Sequence, residues 1–173
     1  LVPVVAIWDD HDFGGNNSDS TFAFVKETQK NFKNFFAQSL SESSFISAGP
    51  GISCKFHLGD QLFLMLDGRS FRSPANSGQL NSFFGKEQED WIFNSIKDFN
   101  GLIWMNNGTQ WFNYKGFGES FRRDHTLNFN MFMEKINHTD KNVIFTSGDV
   151  HFSEVCETPK LLNKPSIEIT SSC

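Results

Sequence analysis

Three carboxylates and an imidazole occur together in the stretch Trp8-Asp9-Asp10-His11-Asp12-Phe13-Gly14-Gly15. An apolar run from Val2 to Ile7 precedes it, which predicts a buried strand ending in a loop at the two glycines. Like charges at this spacing repel one another unless a cation lies among them. A solvated Asp-rich turn is the simpler interpretation of the aspartates alone. The histidine, the tryptophan and a second cluster downstream favour a functional site instead.

The second cluster is the stretch Ser147-Gly148-Asp149-Val150-His151-Phe152-Ser153-Glu154, about 140 residues further along the chain. It also follows an apolar, strand-like run, Val143 to Phe145. Ligands of α/β sheets bind beyond the carboxyl ends of the strands, so two such ends side by side would bring the clusters together. The residues expected to converge are Asp10, His11, Asp149 and His151. Oxygen and imidazole donors together suit iron, manganese, zinc or calcium.

Composition limits the class of protein. A length of 173 residues predicts one domain, and a net charge of −5 argues against a nucleic-acid surface. No apolar run approaches the roughly 20 residues of a membrane-spanning helix. The three cysteines, Cys54, Cys156 and Cys173, lack metal-binding spacing, and their odd number leaves one disulfide possible and one thiol unpaired.

The apolar patterns predict a mixed α/β layered domain with three helices and several strands. Ser41 to Gly51 is predicted to be a loop, and Leu58-Gly59-Asp60 a tight turn between two hairpin strands. The expected elements are a strand at 2–7, a helix from near Ser20 to about Leu40, hairpin strands at 54–57 and 61–66, a helix from Gly85 to about Phe99, a strand at 102–105, a helix from 124 or 125 to about Ile136, and strands at 143–146 and 165–170.

Two arginines, Arg69 and Arg72, follow the second hairpin strand. Their guanidinium groups could hold a phosphate or a carboxylate, and pairing of Arg69 with Asp67 or a neighbouring carboxylate is an equal alternative. The other histidines, at positions 57, 125 and 138, have no acidic strand-end context, and we expect them to be structural or exposed.

In its motifs the chain resembles the alkaline phosphatase D (PhoD-like) family of the metallophosphoesterase superfamily. The matching stretches occur in the family's order and cover nearly the whole chain. They are Trp8-Asp9-Asp10-His11-Asp12, Leu66-Asp67-Gly68-Arg69-Ser70-Phe71-Arg72, Gly85 through Gln88 to Trp91, Gly108-Thr109-Gln110-Trp111, Glu119-Ser120, Ser147 through Glu154, and Thr170-Ser171-Ser172.

The resemblance implies a four-layer α/β/β/α sandwich with mixed sheets and a metal centre at the strand ends. Asp10 stands where the superfamily has its Asn metal ligand, and His11 where it has the histidine that contacts the transition state. Asp149 replaces the first histidine of the Gly-His-x-His motif, and His151 keeps the second. This replacement makes one metal position oxygen-rich, which favours a hard cation such as calcium. The family suggests two or more metal ions, iron and calcium, with zinc or manganese as alternatives.

The expected activity is metal-assisted hydrolysis of a phosphate ester. Asp10, Asp149 and His151 would hold the metals, His11 would act on the substrate as the catalytic residue, and Arg69 would contact phosphate. Three further carboxylates would orient the metal-binding groups, those of Asp9, Asp12 and Glu154. A phospholipase-like phosphodiesterase is one alternative, and a non-catalytic domain braced by a metal is another.

The family's first metal-binding stretches would precede Leu1, and Gly59-Asp60 lies in the wrong place to supply one of them. We therefore expect residues 1–173 to form one incomplete domain, the C-terminal portion of a catalytic domain. The rest of its own chain would complete the metal site, and the fragment alone could be inactive. The family also implies a secreted or periplasmic location.

Overall fold

The structure, a computed structural model, describes residues 4–36, 45–75, 81–113, 118–158 and 161–172. Predictions that concern Val2, Pro3, residues 37–44 or Cys173 lie outside these ranges. The elements in chain order are α1 (Asp10–Phe13), α2 (Val25–Phe35), β1 (Ile46–Ala48), β2 (Cys54–Leu58), β3 (Gln61–Met65), α3 (Gly85–Ile96), β4 (Leu102–Asn106), α4 (Phe121–Asp124), α5 (Thr126–Thr139), β5 (Asn142–Ser147), β6 (Glu154–Glu157) and β7 (Ile167–Thr170).

The seven strands form one mixed sheet in the order β1-β2-β3-β4-β5-β7-β6. The central strands β3, β4, β5 and β7 are parallel, and the pairs at both edges are antiparallel. Because α3 lies between β3 and β4 in the sequence and α5 between β4 and β5, these parallel neighbours are joined through helices. The α/β class predicted from the sequence is confirmed.

One face of the sheet is buried under helices. Alternate side chains of the central strands point to this face and are inaccessible to solvent, among them Leu62, Leu64, Ile103, Met105 and Phe145. They belong to one apolar cluster that also contains Ile92 and Ile96 of α3 and Phe132, Met133 and Ile136 of α5. Burial of these side chains contributes most of the stabilisation, at roughly 25 cal/mol per Å² of apolar surface.

The opposite face of the sheet is only half-buried. Phe56, Phe63 and Trp104 stand in register on three adjacent strands, and their rings stack with centroids 4.9 and 5.6 Å apart. A groove of about 600 Å³ runs along the same face beside Leu102, Ile144 and Ile167. The described residues thus form one sheet with a half-buried apolar face.

Most elements predicted from the central part of the chain are confirmed. The hairpin turns at Gly59, whose φ of +60° lies in the left-handed region that glycine adopts without strain. The strands β4, β5 and β7 and the helices α3 and α5 lie within a few residues of their predicted positions. Ser120, in a segment for which no element was predicted, caps α4 by accepting a hydrogen bond from the Arg123 backbone N–H at 3.0 Å.

The predicted first strand is wrong in the part that the structure describes. Residues 4–9 pair with no strand, and Asp10 begins a single helical turn. The segment is held by side-chain packing instead, because the buried Trp8 ring lies 5.1 Å from both Phe13 and Phe32. Its indole N–H also donates to Asp67 Oδ1 at 2.9 Å. An apolar run alone cannot distinguish this arrangement from a strand.

Three further boundaries differ from the prediction. Helix α2 begins at Val25 rather than near Ser20, because Asp19 accepts hydrogen bonds from the backbone and hydroxyl of Thr21 and forms a turn there. Strand β1 lies inside the predicted loop, and β6 begins at Glu154, the last residue of the second acidic cluster, where no strand was predicted. Both are short edge strands that pair with one neighbour only. No helix of the described ranges combines the length and the apolar character needed to cross a bilayer.

His125 is buried at the start of α5, in accordance with the structural role expected for it. Its Nε2 lies 3.0 Å from the Ser73 carbonyl oxygen, to which it donates in the neutral tautomer, and its ring stands edge-on to Phe83. Burial lowers the pKa of His125 to about 4, the Ser73 carbonyl opposes this shift, and the charge of Arg72 adds to it. The folded protein therefore holds this imidazole neutral.

We expect the free energy of unfolding to decrease as the pH falls from 6.5 to about 4, the interval in which only the unfolded chain protonates this imidazole. The slope is about 1.4 kcal/mol per pH unit, and the full loss is about 3 kcal/mol. Urea unfolding of the wild type and of His125→Gln, which keeps a donor for Ser73, measures this contribution as the difference between two pH profiles. Parallel profiles would contradict it.

Candidate metal centre

Three segments meet at the carboxyl ends of the parallel strands β4 and β5. The Gly148 N–H, just beyond β5, donates to the Gly108 carbonyl, just beyond β4, at 2.7 Å. A side chain at position 108 would lie 2.6 Å from the Trp8 carbonyl oxygen and 2.8 Å from Asp9 Cβ. Glycine at this position therefore allows the segment that carries Asp9 to approach the strand ends closely.

Three aspartates converge where these segments meet. Asp9, Asp10 and Asp149 each offer a carboxylate oxygen, and these oxygens all lie within 4.8 Å of one another. Asp10 and Asp149 are therefore close together as predicted, although the first cluster follows an unpaired segment rather than a strand and the group includes neither His11 nor His151. Carboxylate oxygens at this spacing are the ligands that hard divalent cations take in proteins.

The Asp10 carboxylate is fixed by the local backbone. Its Oδ1 accepts the His11 N–H and its Oδ2 accepts the Asn17 N–H, both at 2.8 Å. Burial would raise the pKa of this group, but the two backbone donors and the Arg69 charge outweigh burial and lower it. Asp10 is therefore ionised and held in one orientation.

Asp149 has the opposite electrostatic balance. Burial is the main cause that raises its pKa to about 6, and the carboxylates of Asp9 and Asp10 raise it further, against the opposing charge of Arg69. Asp149 and His151 also adopt left-handed backbone conformations, with φ of 70° and 57°. Such conformations are rare outside glycine and are concentrated at functional sites.

Arg69 lies beneath the carboxylates and is inaccessible to solvent. Its Nε donates to Asp9 Oδ1 at 2.5 Å, its Nη1 to the Ser18 carbonyl at 3.2 Å, and its Nη2 lies 2.7 Å from Glu119 Oε2. Burial would lower the pKa of Arg69, but Asp9 and Glu119 outweigh it and raise the pKa above its ordinary value. The structure thus shows the carboxylate pairing that was one of the two alternatives for Arg69.

Arg72 extends the same ion-pair network. Its Nη1 lies 3.0 Å from Glu119 Oε1, its Nη2 donates to Thr109 Oγ1 at 2.7 Å, and its guanidinium stacks over the Phe83 ring at 4.1 Å. Burial lowers the pKa of Arg72 to about 10, and the neighbouring charge of Arg69 lowers it in the same direction. The two arginines balance the charges of Asp9 and Glu119. Among the described residues, the negative charges of Asp10 and Asp149 have no such balancing cation, and a divalent metal ion would neutralise them.

The other predicted site residues lie around the aspartates. His11 and Asp12 are exposed on α1, and Asp12 Oδ2 is 3.4 Å from the Asp9 N–H. His151 is exposed and its imidazole lies outside the group of oxygens described above, while the backbone N–H of His151 donates to Ser172 Oγ at 3.3 Å. Glu154 begins β6 and accepts from Gln110 Nε2 at 3.0 Å.

Sequence reasoning missed how three residues support this centre, namely Asp67, Thr109 and Glu119, and considered Asp67 only as a possible partner of Arg69. Asp67 anchors Trp8 to the end of β3, and Thr109 and Glu119 contact the buried arginines. The two motif stretches Gly108-Thr109-Gln110-Trp111 and Glu119-Ser120 were the available signal. The arginine partners of Thr109 and Glu119 could not be read from the sequence because they lie 37 or more residues away.

Fold and centre together define a class: a mixed α/β protein whose oxygen-rich candidate cation site lies at the carboxyl ends of parallel strands. Comparison with protein-family models, with curated proteins and with solved structures finds no match to this chain. The geometry of the site is therefore the basis for the proposal that follows.

Proposed function

We propose that the chain is part of a metal-dependent phosphoester hydrolase resembling alkaline phosphatase D. The observation that supports this most directly is the meeting of Asp9 and Asp10 with Asp149, from opposite ends of the sequence, at the carboxyl ends of the parallel strands. This is where α/β sheets bind ligands. The surplus of negative charge suits a cation and would repel a free phosphate ester without one.

The donor set fits a hard cation. Asp9, Asp10 and Asp149 supply oxygen only, which favours calcium, manganese or ferrous iron over zinc. We propose that Asp10 and Asp149 would hold the cation, and that His151 would supply its imidazole as a further ligand of the complete metal centre. The wider metal complement, iron with calcium, rests on the family resemblance.

The cations would supply an activated water and would offset charge that develops on phosphorus. The chain's own residues do the rest. His11, exposed beside Asp10, is placed to donate to a non-bridging oxygen or to the leaving group. Asp12 and Glu154 lie further out and fix neighbouring loops through Asp9 and Gln110. Arg69 acts on the substrate only through its charge, because its side chain is buried and paired.

The half-buried face of the sheet supports the finer architecture. A second sheet packed about 10 Å above Phe56, Phe63 and Trp104 would cover these side chains and produce the four-layer sandwich. We propose that another part of the same chain supplies that sheet and the remaining metal ligands. The complete protein would be secreted or periplasmic, as the family resemblance implies.

A non-catalytic domain is the second candidate, because a cation held by three aspartates would also brace three loops against one another. The two candidates differ in what His11 does. A structural cation requires no exposed imidazole beside it, whereas hydrolysis uses one.

His11→Ala in the full-length protein is expected to lower kcat for p-nitrophenyl phosphate, or for bis-p-nitrophenyl phosphate, by about 100-fold, which is within the range of general acid–base catalysis. Cation affinity and unfolding temperature should stay near wild type, since the His11 side chain is exposed. His138→Ala is the matched control, because His138 is also exposed on a helix, α5. Full turnover in folded His11→Ala would exclude this role, and turnover of neither substrate by wild type would favour the structural candidate.

A further inference from the structure

The Asp9 carboxylate is engaged asymmetrically. Its Oδ1 accepts from Arg69 Nε at 2.5 Å and from Thr109 Oγ1 at 3.0 Å, whereas the contact of its Oδ2 with the same hydroxyl is longer, at 3.3 Å. The carboxylate also faces the Asp12 backbone N–H in the capping box of α1. Oδ1 is therefore fixed by two hydrogen bonds, and Oδ2 is the less engaged of the two oxygens.

Thr109 connects this carboxylate to both arginines. Its hydroxyl is inaccessible to solvent, accepts from Arg69 Nη2 at 3.2 Å and from Arg72 Nη2 at 2.7 Å, and donates its only proton to Asp9. Because both guanidinium groups can only donate, the hydroxyl proton has to point toward the carboxylate. The direction of every hydrogen bond in this cluster is thus determined.

From this geometry we infer that Thr109 and Arg69 form a clamp that makes Asp9 a direct cation ligand through Oδ2, with Thr109 as the positioning residue. This deepens the proposed function and rests on it. The sequence had assigned Asp9 only an orienting role. A carboxylate fixed by two donors on one oxygen loses little rotational freedom when the other oxygen binds a cation, so the clamp increases affinity by preorganisation.

Calcium titration of the full-length protein by calorimetry tests the clamp. Thr109→Val keeps the shape and removes the hydroxyl, and it should weaken Ca²⁺ binding about 10- to 30-fold, in the range found for outer partners of metal ligands. Thr109→Ser keeps the hydroxyl and should bind within about threefold of wild type. Thr158→Val is the control, because it also removes one threonine hydroxyl, which donates a hydrogen bond to the Ser166 carbonyl. Thr158 lies in the groove at the amino ends of β4 and β5, away from the metal centre.

A double-mutant cycle separates positioning from general loosening of the structure. Asp9→Asn should weaken Ca²⁺ binding, and adding Thr109→Val to it should cost little more, because the hydroxyl acts through Asp9. Additive losses, or wild-type affinity in folded Thr109→Val, would overturn the clamp. If Thr109→Val does not fold, Arg69→Lys is tested in its place. Wild-type Ca²⁺ affinity in folded Arg69→Lys would also contradict the clamp.

The outcomes also distinguish the clamp from the metal centre itself. If the wild-type protein binds neither Ca²⁺ nor Mn²⁺, both the metal centre and the clamp are overturned. Binding by wild type that is insensitive to Thr109 and Asp9 would leave the centre in place and remove the clamp alone.

Discussion

Replacing Asp149 with asparagine is expected to abolish stabilisation by calcium or manganese, with a loss of cation affinity of about 1000-fold. The loss should exceed the roughly 10- to 100-fold typical of residues that only support a ligand, because Asp149 itself contributes an oxygen. Asparagine also tolerates the left-handed backbone at this position, where φ is 70°. The fold should therefore persist.

The same substitution should stabilise the protein when no cation is present. Burial and the carboxylates of Asp9 and Asp10 raise the pKa of Asp149 to about 6, so its ionised form opposes folding above that pH and its protonated form does not. After allowance for its partial exposure, the gain is about 1 kcal/mol near pH 8 and disappears near pH 4. Thermal unfolding with EDTA and with calcium measures both effects.

Asp140→Asn is the matched control for this experiment. Asp140 also has a left-handed backbone, with φ of 53°, but it is exposed at the end of α5, and within the described ranges its carboxylate pairs with Lys164. Its replacement should change neither calcium stabilisation nor the response to EDTA. Equal calcium stabilisation of wild type and Asp149→Asn would refute the metal centre.

Asp67→Asn is expected to cause the largest loss of stability, about 4 kcal/mol. The carboxylate is inaccessible to solvent and accepts four hydrogen bonds, from the Trp8 indole and from the backbone N–H groups of Ile52, Arg69 and Ser70, at 2.9 to 3.1 Å. An amide would place its NH₂ against at least one of these donors and weaken the others, which are bonds to a charged acceptor.

Chemical denaturation of Asp67→Asn, with Asp60→Asn as the control variant, measures this loss of stability. Asp60 is exposed in the hairpin turn, so its replacement should change stability by less than about 0.5 kcal/mol. Because Asp67 also anchors the segment before Asp9, its variant should bind cations more weakly. A change below about 1 kcal/mol would mean that the buried carboxylate contributes far less than its contacts indicate.

The central α/β pattern was predictable because each element carries its own periodic signal. The apolar run within Gln61 to Leu66 identified β3, and the acidic first turn after Gly85 identified α3. The short elements β1, β6 and α4 carry too few residues for a period to show. The segment before Asp10 was wrongly predicted because Trp8 anchors it through distant partners that local patterns do not reveal.

The amino-acid sequence by itself determined the class of fold, the two acidic clusters and the expectation that strand ends would bring them together. Only the tertiary structure decided that Asp9 joins Asp10 and Asp149, and that Arg69 is buried under them rather than open to a substrate. The reason is physical: hydrophobic periodicity is local, whereas the hydrogen bonds of Asp9 to Arg69 and Thr109 join positions 60 and 100 residues apart. Such pairs exist only once the sheet has formed.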